Sequence, residues 1–167
     1  AIIFIHGGGF VLGTMDMYKS VILQIVKTTK TITFSMDYRL APEHIFPAAL
    51  DDCEYMVVDV LQRLYKVYGI NRNRIALIGD SAGGGLIASL TYRLRDRKDI
   101  VQPKVQVLIY PLVQVHNLRT PSYENFYHVM DGTGFVDPRL IVQYYFMYAG
   151  INGKLNQEMT HDALAKK

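Results

Sequence analysis

Arg74-Ile75-Ala76-Leu77-Ile78-Gly79-Asp80-Ser81-Ala82-Gly83-Gly84-Gly85 is the stretch on which the reading of this chain turns. Residues 74–79 have the short, apolar, β-branched character of a strand, and residues 86–97 have apolar residues at helical spacing. The glycine-rich text between them is therefore a strand-to-helix turn, and Gly79 to Gly83 within it read G-x-S-x-G. That pattern suits a turn that lifts a serine hydroxyl off the end of a sheet. Ser81 needs a tight backbone to face a cleft, and Gly79 and Gly83 remove side chains that would collide with the turn. The helix that follows presents free N–H groups and the positive end of its dipole beside Ser81.

Upstream and downstream, strand and helix patterns alternate. Residues 2–5 and 31–36 read as strands, and residues 16–30 carry helical spacing through Tyr18, Val21, Ile22, Ile25 and Val26. A longer stripe runs through Leu50, Cys53, Val57, Val60, Leu61, Leu64, Val67 and Tyr68, with Pro47 and Asp51 suited to its start and Gly69 to its stop. Residues 104–110 form a fourth strand ended by Pro111; the text then becomes irregular until a helix over residues 138–148, capped by Asp137. Four alternations imply an α/β fold with a mostly parallel sheet and helices on both faces. Right-handed crossovers would bring the strand C-terminal ends to one edge, where ligands bind.

Composition agrees with a globular chain: 167 residues, 50% hydrophobic and 20% charged. A net charge of +3, dispersed among acidic residues, is too small to argue for nucleic acid. The single Cys excludes an internal disulfide framework and a multi-Cys metal site, and Cys53 falls on a buried helical stripe. No apolar run approaches the roughly 18 residues of a membrane span, so membrane association would have to come through segments outside this chain. The chain opens without Met, directly in the strand Ile2-Ile3-Phe4-Ile5, which leads us to expect an internal fragment whose first strand lacks a partner on one side.

A second glycine loop follows that first strand. In His6-Gly7-Gly8-Gly9-Phe10, three glycines let backbone N–H groups approach a substrate carbonyl with no Cβ in the way. Such a loop is the other half of an oxyanion hole in acyl transfer, completing the helix N-terminus after Ser81. A phosphate loop is excluded, because no Gly-Lys-Ser/Thr follows and the glycines lack G-x-G-x-x-G spacing.

His6-Gly7-Gly8-Gly9-Phe10, Asp37-Tyr38-Arg39-Leu40-Ala41-Pro42-Glu43-His44 with Phe46-Pro47-Ala48-Ala49, and Gly79-Asp80-Ser81-Ala82-Gly83-Gly84 together resemble the hormone-sensitive-lipase-like serine esterases, on their arylacetamide-deacetylase branch. The resemblance implies a single, partial α/β-hydrolase domain over residues 1–167, lacking first and last strands, with lid or pocket elements in residues 112–167. It implies hydrolysis of small carboxylic esters or arylamides without metal or organic cofactor. Ser81 would be the nucleophile, and Gly7, Gly8 and Ala82 the oxyanion donors. His6, Gly9, Gly79, Asp80 and Gly83 would support the motifs, Tyr38, Arg39 and Glu43 would brace the loop, and Phe126, Tyr127 and Tyr144 would line a substrate pocket. Relatives of this kind include proteins anchored in the endoplasmic reticulum membrane, so compartment stays open between that lumenal face and the cytoplasm.

Two departures stand out. Gly85 occupies a position where the family usually has Asn. The family's Asp and His lie far beyond the serine, well over a hundred residues in the case of Asp, whereas 86 residues follow Ser81 here. His116, His128 and His161, with Asp131, Asp137 and Asp162, lie downstream, but none follows a strand in the required order, and they read as loop and surface residues. The isolated chain is accordingly expected to lack turnover and to be poorly soluble. A non-catalytic small-ligand receptor on the same fold remains an alternative. A type-B carboxylesterase is the third, against which the Asp37 to His44 segment argues.

Overall fold

Ile2–Ile5 forms β1, buried along its whole length, and lies in the interior of a parallel sheet ordered β2-β1-β3-β4. The computed structural model describes residues 1–114, 117, 120–130 and 136–151, apart from the side chains of 126–128 and 130. β2 is Thr33–Ser35, β3 is Ala76–Asp80 and β4 is Val105–Ile109. β1 pairs in parallel with both neighbours, Phe4 opposite Ser35 on one side and Ile78 on the other. This corrects the expectation of a half-paired first strand. One crossover sets β2 beside β1, and the next carries the chain back across β1 to lay β3 on its other flank. The sheet edges within this chain are β2 and β4.

The continuous apolar run of β1 is explained by that position, because both faces of an interior parallel strand are covered. Ile3 and Ile5 share a face with Leu77 and join the core built with α2 (Ala48–Asp59) and α4 (Ser81–Leu94). On the opposite face Phe4 meets Tyr18 of α1 (Met15–Thr29), with ring centroids 5.7 Å apart. Helices therefore lie on both faces, as the alternation implied. The helical stripe beginning at Leu50 buries Ala49, Leu50, Cys53 and Val57 in α2. It continues through a π-helical turn, Val60–Leu64, into the short α3 (Tyr65–Val67). Each fully buried Leu or Val along this stripe contributes about 1.5–3 kcal/mol through removal of apolar surface from water.

Two stretches differ from their sequence reading. α4 begins at Ser81, five residues before the apolar periodicity starts at Leu86, so three consecutive glycines lie in its first turns. Glycine is a poor helix former, and here packing outweighs propensity. Pro121–Met130, which has no clean period, forms helix α5. The last helix, α6 (Pro138–Ala149), starts where expected: Asp137 accepts a hydrogen bond from the Arg139 N–H at 2.8 Å, and Gly150 closes it at φ 71°.

Candidate active site

β1 and β3 are hydrogen-bonded neighbours, so the loops at their C-terminal ends lie side by side. At the end of β3, Ser81 holds φ 50°, the left-handed region that a β-carbon disfavours. That conformation turns the chain sharply from strand to helix. The turn closes because α4 approaches the end of β1 without side chains between them. A β-carbon on Gly83 would strike the carbonyl oxygens of Ile5 and His6, and one on Gly79 would sit 2.7 Å from the Ile5 carbonyl. The Ala82 N–H lies in the first turn of α4, where no preceding carbonyl takes up the amide. The Ser81 hydroxyl makes no hydrogen bond to another described residue.

At the end of β1 the chain passes through Gly8 at φ 120° and Gly9 at φ 64°, and Gly8 accepts the Leu12 N–H at 2.8 Å. Gly8 is obligatory at its angle, which L-residues rarely adopt. The N–H groups of Gly8 and Gly9 have no acceptor among the described residues. The Gly7 N–H is different: it donates to Asp80 Oδ1 at 3.0 Å. That amide is committed to a carboxylate, whereas those of Gly8 and Gly9 are left open on the neighbouring strand end.

Asp80 therefore joins the two loops. It is 8% exposed, and its second oxygen accepts the Tyr18 hydroxyl at 2.8 Å. Burial and that hydrogen bond push the Tyr18 phenol well above its ordinary pKa, so it remains a neutral donor. The sequence indicated Asp80 only as a motif letter and Tyr18 only as one of an apolar stripe. Their partners lie 73 and 62 residues away along the chain, and no local pattern carries such a pairing.

His6 is fully buried, and because a carbonyl can only accept, its Nδ1 donates to the Gly7 carbonyl at 2.7 Å. Its ring stacks on Tyr38 at 4.4 Å, and the Tyr38 hydroxyl donates to the His6 carbonyl at 2.9 Å. Arg39 forks onto Asp52 at 2.7–3.0 Å, tying the following loop to α2. Glu43, expected in the same brace, is exposed. Tyr144 of α6 lies against Gly9, close enough that a β-carbon there would meet its ring. A cavity of about 1090 Å³ opens beside α4 and α6, lined by Phe10, Gly85, Leu112, Val142, Tyr145 and Tyr148 among others. Ser81 does not line it, but Gly85 is one helical turn beyond Ser81 and Phe10 adjoins the glycine loop.

Asp137 serves as the cap of α6 and pairs with Arg139. His116, Asp131, His161 and Asp162, and the side chains of Phe126, Tyr127 and His128, lie outside the described residues. Among the described residues no three His, Cys, Asp or Glu side chains gather as a metal ion would require.

The sequence is 36% identical over 123 residues to human arylacetamide deacetylase-like 4, covering 74% of this chain and 30% of that protein. It is 30% identical over 155 residues to the ethyl acetate hydrolase of Pseudomonas putida, covering 90% of this chain and 46% of that protein. Among solved structures, an esterase of Pyrobaculum calidifontis superposes with a TM-score of 0.80 at 34% identity, over 88% of this chain and 47% of its own. A thermostable carboxylesterase cloned from a metagenomic library gives 0.80 at 33%, over 88% and 49%. The chain thus spans between 30% and 49% of the length of these relatives. The sequence pattern of the alpha/beta hydrolase fold family matches residues 2–164, and with the parallel sheet, the serine turn and the glycine loop in place, the chain belongs to that family, in its hormone-sensitive-lipase-like division.

Proposed function

We propose that this chain carries the nucleophile and oxyanion hole of a serine hydrolase acting on small carboxylic esters or arylamides. The observation that carries the reading is Ser81, held at φ 50° at the head of α4 with the unsatisfied amides of Gly8 and Gly9 on the neighbouring strand end. Ser81 Oγ attacks the substrate carbonyl and forms a tetrahedral adduct. Its oxyanion is received by the N–H groups of Gly8, Gly9 and Ala82, and expulsion of the alcohol or amine leaves an acyl-enzyme that water releases. The resemblance implies that a His, oriented by an Asp, takes the Ser81 proton and passes it to the leaving group, both lying beyond this chain in the whole protein. His6 is not that base, since its Nδ1 is committed to Gly7 and its ring is packed under Tyr38.

The relatives' names, arylacetamide deacetylase-like and ethyl acetate hydrolase, support small acyl esters and arylamides as the substrate class. The apolar, aromatic cavity beside α4 supports an apolar acyl or leaving group. The test is a fluorophosphonate probe on the full-length protein. A single adduct on Ser81, abolished in Ser81→Ala together with hydrolysis of p-nitrophenyl acetate, is expected. Absence of the adduct overturns the reading.

A further inference from the structure

The glycine loop has a mechanical problem. Oxyanion stabilisation depends on amides fixed within a fraction of an ångström, whereas three consecutive glycines are the most freely moving backbone a chain can have. His6 and Tyr38 hold the carbonyl side of the loop's entry. On the amide side the hold is Asp80 Oδ1 on the Gly7 N–H. That hold is only as good as the placement of the Asp80 carboxylate, which is nearly buried and needs donors for both oxygens. Tyr18 supplies the second donor and is itself in contact with the loop: its hydroxyl oxygen lies 3.2 Å from the Gly7 nitrogen, as a second acceptor for that N–H. The Tyr18 ring is fixed in turn against Phe4 and His6, at 5.7 and 5.4 Å between centroids. Tyr18 sits in the first turn of α1, whose cap Thr14 is the residue at which the loop ends.

We propose that Tyr18 is a positioning residue for the oxyanion hole, its hydroxyl locking the Asp80 carboxylate, and through it the Gly7 amide, so that Gly8 and Gly9 are aimed at the carbonyl being attacked. This rests on the hydrolase reading above. It extends that reading to a residue on α1 that touches neither substrate nor nucleophile. Asp80 is then the joint between the nucleophile turn and the donor loop: the carboxylate immediately before Ser81 sets the position of amides on another strand. Tyr18 acts through these two bonds on a geometry that matters more in the transition state than in substrate binding, so its loss falls on kcat rather than on KM.

The experiment compares the full-length wild type with Tyr18→Phe, which keeps the ring and removes the hydroxyl. Two readouts are taken: kcat and KM for p-nitrophenyl acetate per Ser81 titrated by fluorophosphonate, and amide hydrogen exchange of the peptide covering residues 6–14. We expect kcat to fall by about tenfold with KM within about twofold, and exchange of the Gly7 amide, the one that Asp80 and Tyr18 hold, to quicken by about tenfold. Tyr18→Leu, which also loses the ring, is expected to lower Tm further without lowering kcat per titrated serine further. Unchanged kcat per titrated serine, or unchanged exchange in Tyr18→Phe, overturns the proposal while leaving the hydrolase reading intact. A wild type that neither labels nor turns over overturns the hydrolase reading, and the exchange measurement then decides the role of Tyr18 by itself. Should Tyr18→Phe fail to fold, Asp80→Asn replaces the acceptor facing Tyr18 with a donor, and the same kcat loss and faster exchange are required of it.

Discussion

At the scale of single residues, space is what distinguishes this site. Gly85 stands where the family usually has Asn, and a β-carbon there would run into the carbonyl oxygen of Leu112. The chain leaving β4 is fastened at this point, since the Leu112 N–H donates to the Ser81 carbonyl at 2.9 Å. Gly85→Asn is therefore expected to cost about 1–3 kcal/mol through overpacking. Urea unfolding of the variant checks this through a lower midpoint at unchanged slope. The sequence showed that Gly85 was a departure but not what it accommodates. The space is set by Leu112, which comes from beyond the far end of another strand. Asp80 is the same case: its place in G-x-S-x-G was plain, and its task was not, because both of its partners arrive from β1 and α1.

Among the elements, α1 is the one whose position matters most beyond its own burial. None of its residues is fully buried, so its attachment rests on partial contacts and on its ends. Thr14 Oγ1 accepts the Met17 N–H at 3.2 Å, and Asp37 Oδ1 accepts the Met15 N–H at 2.6 Å. Thr14→Ala is expected to cost about 1 kcal/mol. It should also quicken exchange at the head of α1, measurable by mass spectrometry. The edges of the sheet are the second concern at this scale. Val105, Val107 and Ile109 of β4 are 53%, 41% and 38% exposed on one face. A flat apolar edge invites pairing with another chain. Val107→Lys is expected to reduce light scattering of the concentrated protein without changing its unfolding free energy by more than about 0.5 kcal/mol. The kinds of element and their alternation were legible from period and punctuation. The interior position of β1 was not, because strand order is decided by crossovers rather than by chain order. The early start of α4 was hidden by its glycines, which pack closely against the end of β1 at Gly83 and against Pro111 and Leu112 at Gly84 and Gly85.

Over the whole molecule, one apolar core joins β1, β3, α2 and α4; Cys53 and Tyr148 are sealed into it, and Tyr145 is half-buried on the cavity wall. Burial raises Cys53 from an ordinary 9.0 to about 12, and Tyr145 and Tyr148 from 10.0 to about 12. The folded chain thus keeps protons that the unfolded chain releases. Stability is full below about pH 9 and declines as pH rises from there toward 12. Urea midpoints measured across that range should fall, with the onset set by Cys53; Cys53→Ala should move the onset up by about one pH unit, to where the tyrosines begin to titrate. The same burial predicts a thiol unreactive toward iodoacetamide until the protein unfolds.

Phe10 leaves the glycine loop and stacks face to face on Tyr148 at 4.0 Å, joining the donor loop to the end of α6. The chain contains 12 Tyr and no Trp, so it emits almost nothing in the tryptophan band. An indole introduced as Tyr148→Trp would be the single one in these 167 residues and an optical reporter of the stack, its emission shifted when α6 leaves the loop. The stack thereby offers a direct way to time the seating of that helix on the loop.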